Sequence, residues 1–377
     1  MPEAFVDPHP LLLGLFILFA SCFVLQLVYL WCILFRTRKD GSPKASEATP
    51  GVSVVICSHN EYLNLQEKLP LILTQDYPEY EVIVVNHASD DDTGFLLTGL
   101  SDQYPHLKVV DIPADRNFFT GKKFPLSIGI KSAKYDLVLL TDADCRPAGN
   151  RWIRTMVSSF LDRTEILLGY GAYEKFPGFL NRMIRFDAAL VAMQYFSYAL
   201  SGFPYMGVGR NLAYLKSLFY KANGFISHYR IQSGDDDLFI NRVARKKNTA
   251  VSIDPQSFTY SNPKRTFGKW ITQKKRHYST SVYYRPLHKF LLGSWSATLA
   301  LFWVSLILLL ALQSAWVFTL AMLVVMLISR YVIFGRWLSR LQEKDLIWMA
   351  PFLELYLLLL NGMIFLSNLF KRPARWK

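Results

Sequence analysis

Cysteine is scarce in this chain of 377 residues, which contains only Cys22, Cys32, Cys57 and Cys145. None of the four belongs to a CxxC or CxH spacing, so the sequence indicates neither a zinc site nor a disulfide framework. A chain without a disulfide framework is typical of a reducing compartment. We therefore expect the part of the chain outside the membrane to face the cytoplasm.

Charged residues are also few, at 19% of the chain against 51% hydrophobic residues, a balance that predicts a membrane component. The formal net charge is nevertheless +13, and the basic residues lie beside apolar segments instead of forming one block. No recognisable nucleic-acid-binding module accompanies them, so we expect no nucleic-acid partner. The positive charge suits anionic headgroups of a phospholipid bilayer and a phosphate-bearing substrate.

The first apolar segment, residues 11–35, is long enough to span a bilayer and too long for the core of a signal peptide. Arg36, Arg38 and Lys39 follow it directly, whereas residues 2–10 contain no Lys or Arg. This asymmetry predicts that residues 1–36 are an uncleaved anchor and that the chain then continues in the cytoplasm. The expected location is the cytoplasmic (inner) membrane, in which the protein is multi-pass.

A C-terminal membrane region is predicted for residues 286–377, with spans at about 291–312, 315–334 and 346–370 and a basic tail. Four spans would place that tail outside, against the positive-inside rule. The length of segment 346–370 favours a full span, and a re-entrant or interfacial segment is the alternative.

Between these regions the sequence predicts a linker at residues 37–51 and an α/β domain at residues 52–285. Predicted strands at 52–57, 81–85, 109–112 and 137–140 alternate with helices, a pattern typical of a doubly wound, mostly parallel sheet. Residues 167–173 are predicted to form one further strand. Residues 179–205 are predicted to form a helix, either interfacial at the membrane or part of the domain core.

Two carboxylates, Asp142 and Asp144, follow the buried strand at residues 137–140. Open α/β sheets bind ligands beyond the carboxyl ends of their strands. Mg²⁺ and Mn²⁺ bind carboxylate together with phosphate oxygens, so the pair predicts a divalent cation shared with a diphosphate. The alternative is that the two acids cap a following helix.

A second acidic cluster, Asp235, Asp236 and Asp237, precedes a predicted helix that extends to about residue 246. Three acids at a helix start are often only capping and dipole partners. Upstream, residues 206–214 contain Gly209 and Arg210, and a glycine there permits close approach of a ligand to the backbone.

Residues 52–61, 82–93, 141–144, 234–236 and 273–276, in this order and spacing, resemble a membrane-integrated family 2 glycosyltransferase with the GT-A fold. Such enzymes are related to bacterial glycolipid and polysaccharide synthases. The resemblance implies a cytosolic, Rossmann-like α/β catalytic domain with a mostly parallel sheet, flanked by transmembrane helices.

The resemblance also implies roles for individual residues. Asp142 and Asp144 match the DxD motif that binds Mn²⁺ or Mg²⁺, and Asp236 matches the general base. Residues expected to bind the nucleotide sugar are Glu61, Asp91, Lys122, Asp142, Asp144, Gln273 and Arg276. The negative charge of a departing diphosphate predicts a lysine near it, and Lys122 or Lys123 is the candidate. Residues expected on the acceptor side are Asp235, Gly209, Arg210 and His277.

The implied function is inverting transfer of one sugar from a nucleotide-diphosphate sugar, expected to be a UDP-sugar, to a membrane-embedded lipid acceptor. A processive polysaccharide synthase is the alternative, and an inactive membrane-tethered binding or scaffold protein is the alternative from another class. Asn86 and His87 replace the usual acid pair, and His277 replaces a Trp typical of polymer-making members. The sugar, the base, the lipid and the oligomeric state stay open.

Overall fold

A computed structural model describes residues 10–37, 49–113, 121–160, 163–231 and 233–370, except the side chains of residues 369 and 370. Most of the predicted linker and the basic tail lie outside these residues. The strands are β1 (Val52–Ser58), β2 (Tyr80–His87), β3 (Leu107–Ile112), β4 (Leu137–Asp142), β5 (Cys145–Pro147), β6 (Ile166–Leu168), β7 (Gly171–Tyr173), β8 (Leu212–Leu215), β9 (Thr249–Val251) and β10 (Thr259–Ser261).

The helices are α1 (Pro10–Val28), α2 (Tyr62–Leu73), α3 (Thr93–Gln103), α4 (Lys123–Ser132), α5 (Trp152–Ser158), α6 (Phe179–Leu200), α7 (Lys216–Lys221), α8 (Asp237–Val243), α9 (Phe267–Tyr278), α10 (Pro286–Ala311), α11 (Trp316–Arg340) and α12 (Ala350–Phe370). A π-helical segment, Tyr29–Leu34, continues α1, and a 3₁₀ segment, Lys344–Met349, precedes α12.

The main sheet has the strand order β3-β2-β1-β4-β8-β6-β9. The first four strands are parallel, β8 runs antiparallel to β4 and β6, and β9 is parallel to β6. Alternate side chains enter two separate cores: Val54 and Ile56 face one side of β1, whereas Val55 faces the other. Such strands require near-continuous apolar runs because both faces are covered. The mostly parallel sheet predicted from those runs is confirmed.

The prediction of a single strand at residues 167–173 is wrong. β6 ends at Leu168 in the main sheet, and β7 begins at Gly171 in a second sheet of order β5-β10-β7. The side chain of Asn211 separates them: its Nδ2 donates to the carbonyl of Tyr170 at 3.0 Å, and a Cβ on Gly169 would lie 2.6 Å from it. The amide side chain therefore takes the place of a ladder hydrogen bond.

Four helical segments in the described part of the chain are long and apolar enough to cross a membrane: Pro10–Leu34, Pro286–Ala311, Trp316–Arg340 and Lys344–Asn368. They match the segments predicted from hydropathy. A buried polar network joins them, because Arg330 donates to both oxygens of Glu354 and, at 2.7 Å, to Oε1 of Gln26. Gln26 Nε2 in turn donates to Thr298 Oγ1 at 2.8 Å.

Helix α6 lies between the sheets and these apolar helices. Its partners include β7 and β9 on one side and α11 and α12 on the other. Arg185, which is 2% exposed, donates from its guanidinium to Glu343 and, at 2.6 Å, to Asp345 beyond the end of α11. A helix covered in this way joins the two parts of the molecule, and the interfacial and core alternatives for it both stay predictions.

Candidate active site

The carboxylate pair predicted as a cation site lies at the carboxyl end of β4. Asp142 is the last residue of β4, and β5 begins immediately after Asp144, so neither acid caps a helix. Lys68 of α2 donates to the backbone oxygen of Asp144 at 2.6 Å and fixes the turn between the acids. The ligand atoms of Asp142, Asp144 and Cys145 lie within 4.8 Å of one another.

The donor set of this turn suits a hard divalent cation. Burial and the charge of Asp142 raise the pKa of Asp144, a repulsion that a shared cation would relieve. Burial also raises the pKa of the Cys145 thiol well above its usual range, and its sulfur lies 3.6 Å from Asp144 Oδ1. The two carboxylates are hard oxygen ligands of the kind that Mg²⁺ and Mn²⁺ prefer.

Lys122 links the two acidic clusters that the sequence separates by about ninety residues. Its ammonium donates to Asp142 and lies 4.0 Å from Asp235 Oδ2. Burial would raise the pKa of Asp142, but the charge of Lys122, with smaller contributions from Arg210 and Arg276, lowers it. A Cβ on Gly209 would lie 3.7 Å from Lys122 Nζ and 3.5 Å from Asp236 Oδ2, so both charged groups face one backbone turn.

Asp236 is half-buried at the start of α8. Its Oδ1 accepts from the N–H of Asp237 and its Oδ2 from the N–H of Gly209, each at 2.7 Å. Asp236 therefore caps α8, as one interpretation of the acidic cluster predicts. Each of its carboxylate oxygens also retains a lone pair that can accept a further hydrogen bond. Burial, with the charges of Asp235 and Asp237, raises the pKa of Asp236 to about 7. A carboxyl with that pKa can exchange a proton near neutral pH.

The neighbouring Asp237 has a structural role. Buried at 7% exposure, it accepts from Thr280 Oγ1 and, at 2.8 Å, from Tyr284 OH. These bonds fix α8 against the segment that leads into α10.

Lys123 does not lie free beside a diphosphate. Its ammonium donates to the backbone oxygens of His228, Ile231 and Ser233 at 2.5–2.8 Å, and burial lowers its pKa to about 8. The expectation of Lys123 as a diphosphate ligand is wrong, because its donors hold the loop before the acidic cluster.

Arg210 lies beside the carboxylate pair and raises the positive potential there. Its guanidinium stacks on Tyr173, 4.3 Å from the ring centroid, and donates to Ser261 Oγ at 3.0 Å. Its positive charge interacts with Asp142 and Asp144. Burial alone would lower the pKa of Arg210, but the neighbouring acidic groups raise it, so the guanidinium stays protonated. The roles of Lys68 and Tyr173 had no signal in the sequence.

Helix α9 brings Gln273, Arg276 and His277 to the same cleft. Gln273 Nε2 donates to Tyr173 OH at 3.3 Å, which connects α9 to the residues around Arg210. Among the described residues, the buried atoms Gln273 Oε1 and Arg276 Nε have no hydrogen-bond partner. Unpaired buried polar atoms are costly, and a bound ligand with donors and acceptors would satisfy them. His277 is exposed at the rim.

The loops after β1 and β2 form the far end of the cleft, around a cavity of about 470 Å³ lined by residues 60–64, 91 and 92. Burial raises the pKa of Glu61, whose carboxylate accepts from Asn64 Nδ2 at 2.5 Å. Asp91 accepts from the N–H groups of Tyr62 at 3.2 Å and Thr93 at 3.1 Å, so its carboxylate joins the two loops.

Comparison with known proteins gives matches over the whole chain and over parts of it. The family model described as glycosyl transferase family 21 matches residues 14–377. A poly-beta-1,6-N-acetyl-D-glucosamine synthase of Staphylococcus epidermidis is 34% identical over 94 residues, 25% of this chain and 22% of that protein. The probable glycosyltransferase YdaM of Bacillus subtilis is 33% identical over 118 residues, 30% of this chain and 28% of that protein. The matched stretch thus spans about a quarter of these relatives.

Among solved structures, the mannosyltransferase PcManGT from Pyrobaculum calidifontis, in complex with GDP-Man and Mn2+, is similar with a TM-score of 0.56. The likeness covers 91% of this chain and 98% of that one at 18% sequence identity. At that identity it concerns the fold, and with the observed sheet it confirms the predicted α/β architecture of GT-A type.

Proposed function

Because the chain belongs to glycosyl transferase family 21, we propose that it is an inverting transferase that moves one sugar from a nucleotide-diphosphate sugar to a membrane lipid. The membership confirms the predicted resemblance to membrane-integrated glycosyltransferases. One observation carries the proposal further: Lys122 joins Asp142 and Asp235, so the cation site and the candidate base Asp236 share one cleft.

The donor would lie along the carboxyl ends of β1, β2 and β4. The loops with Glu61 and Asp91 line the cavity at one end, where the nucleoside part fits, and Asn86 lies behind them at the end of β2. Departure of a diphosphate builds negative charge, which fixed cations stabilise without reorganisation. The cations available are Lys122 and Arg276, and the guanidinium of Arg276 can bind two phosphate oxygens at once.

A divalent cation fits between Asp142 and Asp144 and would supply charge neutralisation for the diphosphate. Arg210, stacked on Tyr173, adds a permanent positive charge on the same side of the cleft. We propose Mn²⁺ or Mg²⁺ as the cofactor because the ligands are carboxylates.

Asp236 would accept the proton of the acceptor hydroxyl as the new glycosidic bond forms. Such general-base assistance is worth about 10²–10⁴-fold in rate. The acceptor oxygen would attack the anomeric carbon on the face opposite the diphosphate, while the bond from that carbon to the diphosphate oxygen breaks. The nucleoside diphosphate leaves, and this single displacement inverts the anomeric centre. Gly209 holds Asp236 by its N–H at 2.7 Å and lacks a side chain that would fill the space beside Lys122.

The proposed acceptor is a lipid hydroxyl or phosphate, because α6 and α9 lie between the cleft and the apolar helices. His277, expected on the acceptor side, is carried by α9, which contacts α12. The basic residues after α1 support a catalytic domain on the cytoplasmic side of the inner membrane.

The test measures products and donor binding separately. Purified protein is given a panel of nucleotide sugars with native lipid, and products are read by mass spectrometry: addition of one hexose supports the proposal. Asp236→Asn should lower transfer about 10²–10⁴-fold and leave nucleotide-sugar affinity unchanged, whereas Asp102→Asn, on the exposed side of α3, should match wild type. Wild-type turnover by Asp236→Asn would remove Asp236 from the mechanism.

Polysaccharide synthesis is the second candidate, favoured by the partial match to the Staphylococcus epidermidis synthase. A ladder of product masses, in place of one added hexose, would decide for it. An inactive scaffold protein would show neither product nor Mn²⁺-dependent hydrolysis of the nucleotide sugar.

A further inference from the structure

Helix α12 begins beside the catalytic domain. Asp345, in the 3₁₀ segment before it, is bonded to Arg185 of α6. Two turns of α12 then contact the first residue of α6: the ring centroids of Phe352 and Tyr356 lie 6.5 and 6.2 Å from that of Phe179. The first half of α12 therefore packs on the helix that covers the sheets.

The other end of α12 also lies beside the catalytic domain. Lys275 Nζ lies 2.8 Å from Ser367 Oγ, and Asn368 Nδ2 donates to the Lys275 carbonyl at 3.1 Å. Lys275 belongs to α9, directly before Arg276 of the candidate site. The preceding residue, Lys274, pairs with Asp187 of α6 at 2.6 Å. The beginning of α12 thus meets α6 and its end meets α9, and the ion pair between Lys274 and Asp187 joins these two helices.

A spanning helix could not make both sets of contacts. With 21 residues, α12 is about 30 Å long, close to the thickness of the hydrocarbon core. If α12 crossed the membrane, Ser367 would lie at the surface opposite the catalytic domain. Helix α9, which contacts Ser367, also carries Gln273 and Arg276 into the catalytic cleft. Because α9 is only about 18 Å long, it could not reach from the cleft to that opposite surface.

We propose that α12 does not cross the membrane but lies along the catalytic domain within the adjoining leaflet. Only α1, α10 and α11 would then span, and the segment predicted as a fourth span takes its interfacial alternative. An odd number of spans keeps the chain end on the catalytic side, which satisfies the positive-inside rule for the basic residues after 370.

The outward face of α12 fits acyl chains of that leaflet. Leu353, Leu357, Leu360 and Ile364 form one buried stripe at helical spacing. A second stripe is apolar and exposed: Phe352 59%, Leu359 62%, Met363 61% and Leu366 57%. An uncharged stripe of large apolar side chains has hydrocarbon as its natural partner.

Cross-linking tests this topology without reference to activity, so its outcome is independent of the proposed reaction. In a Cys32→Ser background, which removes the exposed cysteine, Lys275→Cys with Ser367→Cys is treated with a short bis-maleimide in native membranes. We expect a linked peptide pair by mass spectrometry. The matched pair Lys275→Cys with Gln313→Cys, in the turn between α10 and α11, should not link.

A fusion on the otherwise unaltered chain guards against misfolded variants. A C-terminal green fluorescent protein should fluoresce, and a C-terminal alkaline phosphatase should be inactive, as expected for the cytoplasmic side. Phosphatase inserted after Gln313 should be active. An active C-terminal phosphatase together with absence of the 275–367 cross-link would overturn the proposal and restore a fourth span.

Discussion

Replacement of Asp235 by Asn should shift the acidic limb of the activity–pH profile to lower pH. Asp236 acts as a base only when ionised, and its pKa is about 7 because of burial and the charges of Asp235 and Asp237. About one tenth of Asp236 is therefore ionised at pH 6 and about nine tenths at pH 8, so the wild-type rate of the chemical step should rise roughly tenfold between them. Removal of the Asp235 charge stabilises the ionised form of Asp236.

The assay follows a single turnover at saturating donor and lipid from pH 5.5 to 8.5, so that the chemical step is separated from binding. Asp235→Glu keeps the charge and should leave the limb near its wild-type position, which distinguishes charge from shape. This control is needed because Asp235 Oδ2 also lies 4.0 Å from Lys122. Asp236→Asn should give a flat profile, about 10²–10⁴-fold below wild type at pH 8.

Two results would refute this reasoning. A wild-type rate that does not change between pH 6 and 8 would mean that Asp236 does not titrate in the rate-limiting chemical step. A limb that moves equally in Asp235→Asn and Asp235→Glu would mean that the position of Lys122, and not the charge on residue 235, sets the profile.

Three further outcomes are expected. Lys122→Gln should raise the KM for the nucleotide sugar and the pKa of Asp142, since the main opposing charge is lost; isothermal titration with donor should show the weaker binding, and unchanged affinity would contradict it. A chelator should stop transfer, Mn²⁺ or Mg²⁺ should restore it in wild type but not in Asp144→Asn, and chelator-resistant turnover would exclude the cation. Glu354→Gln leaves the charge of Arg330 buried and without its counterion, at a cost of about 3–5 kcal/mol, so the thermal midpoint in detergent should fall; an unchanged midpoint would contradict this.

Much of the fold could be predicted because buried parallel strands leave a strong sequence signal. The apolar runs that became β1, β2 and β4 were recognisable, as were the apolar helices. The division of residues 167–173 between two sheets could not be predicted, because it depends on Asn211 about forty residues later. Short strands fixed by a distant side chain carry no local periodicity.

The candidate site was predictable in its acids and less so in its cations. Motif and spacing single out Asp142, Asp144 and Asp236, and Lys122 joins the two acidic clusters to which they belong, while their roles stay predictions. Lys122 and Lys123 are adjacent in sequence, however, and their roles differ only because of their positions at the start of α4. Lys122 lies in the cleft, whereas Lys123 is bonded to backbone oxygens. Arg210 is recognisable as important only when its contact with Tyr173 is seen.

The last apolar segment shows why hydropathy alone could not determine topology. A helix that lies in one leaflet can have the same length and the same apolar residues as a helix that crosses both leaflets. What separates them is the position of polar groups at the two ends. Asp345 before α12 and Ser367 near its end bind α6 and α9, which belong to one layer of the molecule. Because α9 also carries Gln273 and Arg276, a displacement of α12 in the leaflet would be transmitted to the donor side of the cleft. Replacing Ser367 by Ala should therefore raise the KM for the nucleotide sugar more than it changes kcat, whereas Ser296→Ala, at an exposed position on α10, should change neither.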